Sequence, residues 1–341
     1  MQYSQPMRRR RAKMDLKPTN GTGAMIIDDV SSAGKQAEGD LFKAFDELGL
    51  NPSDEQVQQL KAAVSGIVNV KLKVGVFGQT GMGKSSLCNA LFGAEISKVG
   101  HGVSMTRQQT EAQINLGNGG GITLVDFPGL GEDEERDEEY KALYKKEMPK
   151  MDLILWMLAV NDRKNKDDIL AHEELVRPIA KENAIPVIFV ANKADAAQPS
   201  GDWNLENNRP SLKQQKSIDA AVLGSTDENG VLTKGFVQKF SVEHSDICVV
   251  SVDKGYGLVR LVDTIVRSLP ADKKFGVVRE AKKETVSEQA KTEAKEGLFD
   301  TIKREVMRVV KEAAPALAAA AAKKLIEIGL GWLRKKPSFR I

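Results

Sequence analysis

Cysteine is nearly absent from this chain of 341 residues: Cys88 and Cys248 are its only thiols. They offer no disulfide framework and no metal-ligand spacing, so the natural compartment is a reducing cytoplasm. Long hydrophobic stretches are missing as well. No uninterrupted apolar run reaches the ~18 residues that a simple membrane-spanning helix needs. Arg8-Arg9-Arg10-Arg11 is not followed by an apolar segment, so no secretory signal is expected. Aromatics make up only 5% of the chain, and neither an aromatic-stacking RNA module nor an internal repeat is legible. What remains, 41% apolar and 28% charged residues, is the composition of a globular protein. The length suits one domain of ~200 residues with helical additions.

Net charge is only +3, but it is unevenly spread. Residues 1–17 carry +5 and residues 272–341 carry +7, leaving −9 for the body between them. Basic ends of this kind are either solvated helix faces and tails or contacts for an anionic partner such as RNA or a membrane surface.

The rest of the chain is organised around Lys73 to Phe92. Lys73–Phe77 reads as a buried strand and Ser85–Phe92 as the start of a helix. Between them, Gly78-Gln79-Thr80-Gly81-Met82-Gly83-Lys84-Ser85 fits G-x-x-x-x-G-K-[ST] throughout. Glycines let consecutive backbone N–H groups turn inward around a phosphate, and the helix behind adds its positive end. Gly78, Thr80, Gly81, Met82, Gly83, Lys84, Ser85 and Ser86 form the expected nucleotide cradle. Lys84 would reach the β- and γ-phosphates, and the Ser85 hydroxyl would ligate Mg²⁺.

Taken in order, residues 1–37 have little apolar periodicity and are expected to be a disordered basic and polar tail. Residues 38–69 carry helical stripes, Leu41/Phe42/Phe45/Leu48 and Val57/Leu60/Val64/Ile67, with Ser53 as an N-cap. Residues 93–107 read as a mobile loop, and Thr110–Leu116 with Ile122–Val125 as a hairpin. An acidic helix over 132–147, a strand over Leu153–Val160 and a helix over 167–183 follow. The strands Val187–Ala191 and Ile247–Ser251 and a helix from Gly257 to Leu269 complete the pattern. Trp203–Gly235 is a polar insertion with one helix in it. Short apolar strands alternating with helices predict a doubly wound, mostly parallel α/β sheet over residues 70–271. Residues 272–341 are expected to form an amphipathic helical extension, one helix carrying Phe299, Ile302, Val306 and Val309 and another Leu317, Ala321, Leu325, Ile328 and Trp332.

Two further motifs select the nucleotide. Asp126-x-x-Gly129 stands at a strand end, where the acid can hold the Mg²⁺ shell and the glycine N–H can touch the γ-phosphate. Asn192-Lys193-Ala194-Asp195 follows the strand Val187–Ala191. Asp195 can accept hydrogen bonds from guanine N1 and its exocyclic amine, a donor pair adenine does not present. Asn192 can bond the N7/O6 edge and brace the phosphate loop, while the Lys193 stem lies over the base. Ser251-Val252-Asp253 stands where a Ser-Ala-Lys element would present a backbone N–H to guanine O6, with Val and Asp replacing Ala and Lys.

In this order, GQTGMGKSS, DFPG, NKAD and SVDKGYGL resemble the Era-like branch of the translation-factor-related P-loop GTPases. The agreement covers roughly residues 70–270. SSLCNALFG, LVDFPGLGE and the DW…RPSLKQQ stretch are similar to bacterial GTPases of the YfjP and YeeP kind. The resemblance implies a Ras-like fold, GTP/GDP and Mg²⁺. It also implies a switch threonine that ligates the ion and senses the γ-phosphate. Thr106 and Thr110 are the candidates; Thr110 starts a predicted strand, whereas Thr106 lies in the loop, which favours Thr106. Lys84, Thr106 and Gly129 are therefore the expected catalytic set. Leu130 replaces the glutamine that orients water in many Ras-like enzymes, leaving Glu132, His101 and Gln79 as candidates. Gly81 stands where potassium-binding relatives carry asparagine, so potassium activation is not expected. The loop text also resembles septin-like and immunity-related GTPases, which implies a nucleotide-dependent homodimer. Three readings follow: a slow GTP-hydrolysing switch, a membrane-surface or self-assembling GTPase using its C-terminal helices, and a GTP-binding scaffold with negligible catalysis.

Overall fold

The computed structural model describes residues 69–93, 110–114, 121–127, 134–161 and 166–313, with isolated positions between 43 and 66. The basic N-terminal tail, both N-terminal helical stripes and the final stripe ending at Trp332 lie outside the described residues.

The strands are β1 (Lys71–Phe77), β2 (Thr110–Ile114), β3 (Gly121–Asp126), β4 (Leu153–Ala159), β5 (Val187–Asn192) and, after a short hairpin, β8 (Ile247–Val249). They form one sheet in the order β2-β3-β1-β4-β5-β8, with every neighbour parallel except β2, which runs antiparallel to β3. The expected doubly wound sheet is thus present. The reason lies in the strands themselves. All seven residues of β4 are buried, because a parallel sheet covered on both faces needs apolar side chains at even and odd positions alike. Leu153, Leu155 and Met157 pack into one face, while Ile154, Trp156 and Leu158 pack into the other.

The two faces differ in texture. One is aliphatic: Leu72, Val74 and Val76 of β1 meet α1 (Lys84–Phe92), α7 (Leu258–Ser268) and α8 (Ala271–Glu280). The other collects much of the small aromatic complement. Phe77 stacks on Phe127 at 4.2 Å and on Trp156 at 5.5 Å. These are covered by α2 (Glu134–Glu147), by α3 (Lys166–Ala171), which runs through a π-helical stretch His172–Val176 into α4 (Arg177–Glu182), and by α5 (Leu212–Leu223) and α6 (Phe236–Phe240). His172 sits inside this layer, edge-on to Trp156, Phe189 and Phe240. Burial, reinforced by the positive charge of Arg177, pulls its pKa down to about 4.

The segment after α7 differs from the sequence reading. α7 stops at Ser268, and Pro270 serves as the N-cap of a further helix, α8, consistent with proline's fixed φ suiting a helix start. Phe275, Val277 and Val278 of α8 are buried. The carbonyl of Val70 accepts from Arg279 Nη2 at 2.9 Å, and that of Leu91 from the Lys282 N–H at 2.7 Å. α9 (Glu288–Ala313) then adds Ala290 and Ala294 to the same aliphatic core. The polar insertion holds α5 and also a small hairpin, β6 (Ser225–Thr226) with β7 (Leu232–Thr233), that the sequence reading missed.

Candidate functional site

In parallel strands all carboxyl ends lie on one edge, where open α/β sheets bind ligands. The chain there leaves β1 at Phe77, β3 at Asp126 and β5 at Asn192. Gly78 turns out of β1 with φ 132°, and a Cβ at this position would lie 2.5 Å from the carbonyl oxygen of Met157 on β4. Gly83 has φ 93°, and a Cβ there would meet Asn192 Nδ2 at 2.6 Å. Both positions therefore demand glycine twice over, for dihedral and for space. Gly83 is also the N-cap of α1, so the loop ends on the positive end of that helix.

Within the loop, Lys84 Nζ donates to the carbonyls of Gly78 at 2.7 Å and Gln79 at 3.4 Å. Its ammonium is thereby folded back over the loop. Thr80, Gly81, Ser85 and Ser86 are exposed, while Met82 is buried. Gln79 Nε2 donates to Asp168 Oδ2 at 3.1 Å, so this candidate water-orienting residue is engaged by α3. Asp126 is placed by register, its backbone opposite Val76 of β1 and opposite Thr110 of β2. Thr110 is committed to β2 as expected. Thr106, Gly129, Leu130, His101 and Glu132 lie outside the described residues.

Asn192 links the loop to the other motifs. Its Nδ2 donates to the Met82 carbonyl at 2.9 Å, and its Oδ1 accepts from the Val252 N–H at 3.1 Å. Lys193 follows in the left-handed region at φ 63°, which turns the chain sharply into the short helical turn Ala194–Ala196. Ser251, fully buried, donates from its hydroxyl to Asp195 Oδ1 at 2.5 Å. Among the described residues nothing donates to Asp195 Oδ2. Residues 251–256 close on themselves, Ser251 and Tyr256 exchanging backbone hydrogen bonds at 3.1 and 3.0 Å.

The structure therefore brings Gly78–Ser86, the end of β3, Asn192–Asp195 and Ser251–Val252 to one edge. Sequence reasoning missed Gln214 and Asn208. Gln214 Nε2 donates to the carbonyls of Asp195 and Ala197, each at 3.1 Å. Asn208 Nδ2 donates to the Lys254 carbonyl at 2.8 Å. Ser211 followed three residues later by Gln214 is a legible capping box, but it signals a helix start, not a bond to Asp195.

The model for 50S ribosome-binding GTPases matches residues 73–193. The uncharacterised protein YkfA of Escherichia coli K12 is 32% identical over 222 residues, 65% of this chain and 70% of YkfA. The chain belongs to the Era-like, YfjP-type P-loop GTPases. YfjP of the same organism is 30% identical over 60% of this chain and 64% of its own length. GTPase Era of Aquifex aeolicus is 26% identical, over 58% of this chain and 56% of Era. The chain thus spans somewhat under two thirds of YfjP and little over half of Era. The matched stretch of this P-loop GTPase includes the phosphate loop, Asp126 and Asn192.

Proposed function

We propose that this chain binds guanine nucleotides and hydrolyses GTP to GDP and phosphate, with the nucleotide controlling the segments that surround the γ-phosphate. The observation that carries this reading is Asn192, one side chain bonded both to the phosphate loop at Met82 and to the base-side loop at Val252. A nucleotide has phosphates at one end and a base at the other, and Asn192 fixes the distance between their two cradles. Asp195, oriented by Ser251, accepts from guanine N1 and its amine; adenine lacks that donor pair, so the reading is guanine.

At the phosphate end the loop N–H groups between Gly78 and Ser86 face the β-phosphate. Lys84 leaves the Gly78 and Gln79 carbonyls for phosphate oxygens. Ser85, exposed in the first turn of α1, and Asp126, at the end of the neighbouring strand, would supply one hydroxyl and one carboxylate. That donor set suits Mg²⁺, which keeps most of its waters and takes few protein ligands. When bound, the ion would neutralise charge developing on the β- and γ-oxygens. Thr106 and the Gly129 N–H would close over the γ-phosphate and relax after its release, which is the switch. Leu130 cannot hydrogen-bond water and Gln79 is engaged by Asp168, so the chain alone should turn over well below ~1 s⁻¹.

Phosphate release from GTP, measured with Mg²⁺ across a protein concentration series beside Lys84→Ala, tests this. Slow activity abolished in the variant is expected. Specific activity that rises with concentration would add self-association to the cycle. Equal activity in variant and wild type would contradict hydrolysis at this site.

A further inference from the structure

The polar insertion after β5 takes no part in the phosphate chemistry, yet its bonds run toward the base end. Trp203 is buried, packs edge-on against Tyr256 at 5.4 Å, and donates from Nε1 to Asn208 Oδ1 at 3.1 Å. Asn208, held in the left-handed region at φ 44°, donates from Nδ2 to the Lys254 carbonyl at 2.8 Å. The Lys254 N–H donates to Ser251 Oγ at 3.3 Å, and that hydroxyl donates to Asp195 Oδ1. A continuous chain of contacts thus leads from Trp203 through Asn208 and Lys254 to the carboxylate assigned to guanine.

A second anchor reaches the same carboxylate's backbone. Gln214, fully buried, donates to the Asp195 and Ala197 carbonyls. It is held by Ser211, whose hydroxyl accepts from the Gln214 N–H at 3.1 Å and donates to Asp202 at 2.7 Å. Between them, Asn208 and Gln214 grip both loops that would touch the base, through the carbonyls of Lys254, Asp195 and Ala197.

We propose that Asn208 is a positioning residue that sets how long a guanine nucleotide stays bound and how strongly guanine is preferred; this rests on the guanine reading above. The turn Asp253-Lys254-Gly255 is exposed. Losing the Asn208 donor there returns the Lys254 carbonyl to water, at little cost to the fold. The loop that orients Ser251 gains freedom, and the cost falls on the bound nucleotide.

The test is stopped-flow release of a fluorescent N-methylanthraniloyl GDP from the full chain with Mg²⁺, together with the GDP-over-IDP affinity ratio. IDP lacks the exocyclic amine. Asn208→Asp tolerates the left-handed backbone and still accepts from Trp203, but offers no donor to Lys254. Its release should be about five- to tenfold faster than wild type, with a smaller GDP-over-IDP ratio. Its thermal midpoint should stay within about 2 °C of wild type. Trp203→Phe keeps the ring on Tyr256 but removes the Nε1 donor, and should accelerate release about two- to threefold. Wild-type rates and ratio in both folded variants would overturn the proposal. A wild-type protein that binds no guanine nucleotide would instead overturn the guanine reading, and the brace with it.

Discussion

The two ends of the site are built differently. The phosphate end is one contiguous loop whose shape comes from backbone, with Gly78 and Gly83 in conformations and spaces that exclude a side chain. The base end is a network of side chains: Asn192, Asn208 and Gln214 bond the backbone at Val252, Lys254 and Asp195, and the Ser251 hydroxyl bonds the Asp195 carboxylate. A cradle made of backbone depends on local sequence and tolerates few changes. A cradle made of side chains depends on partners brought together by the fold, so its motif can drift while the bonds persist. Ser251-Val252-Asp253 departs from the Ser-Ala-Lys pattern at two positions, yet the Ser251–Asp195 and Val252–Asn192 bonds are both formed.

Substitutions at each end should separate these contributions, and Lys84→Ala should have the largest effect. Removing the cation should cost about 100-fold or more in GTP hydrolysis, read as phosphate release, with the fold intact by circular dichroism. Asp195→Asn should follow. An amide oxygen cannot replace a carboxylate facing two donors, so GDP affinity should fall about 100-fold, without any gain in ADP affinity. Asn192→Ala should injure both ends at once. It strips the Met82 carbonyl and the Val252 N–H of a buried partner, which should cost about 1–3 kcal/mol in chemical denaturation. Ser251→Ala should weaken GDP by up to about tenfold, since Asp195 loses its orienting donor but keeps its charge.

A substitution in the scaffold beneath both ends should leave the comparison unchanged. His172 Nδ1 is buried with no hydrogen-bond partner among the described residues, and its pKa is lowered from 6.5 to about 4. Between those values the unfolded chain binds the extra proton, so stability should fall as the pH drops from 6.5 to 4. His172→Phe should remove roughly 2–3 kcal/mol of that acid loss and leave the GDP-to-ADP ratio at neutral pH unaltered.

The same difference explains what was legible in the sequence. The alternation of strands and helices, the phosphate loop and the Asn192–Asp195 motif could be read because each is specified by neighbours along the chain: apolar runs, glycines and a turn after a strand. Helix α8 was not read, because Pro270, just past the end of α7, caps the start of another helix. Gln214 was legible as a capping residue but not as a ligand of the Asp195 carbonyl, since that bond spans 19 residues of chain. Asn208 carried no signal beyond a polar turn, and its partner Lys254 is 46 residues away.

Equilibrium titration of the Mg²⁺-supplemented chain with GDP and with ADP tests the central claim most directly. The phosphate end sees the same diphosphate in both ligands, so any difference in affinity belongs to the base end. GDP binding at least about 100-fold tighter than ADP is the predicted result. Equal affinities would contradict the assignment of Asp195 and its network to guanine.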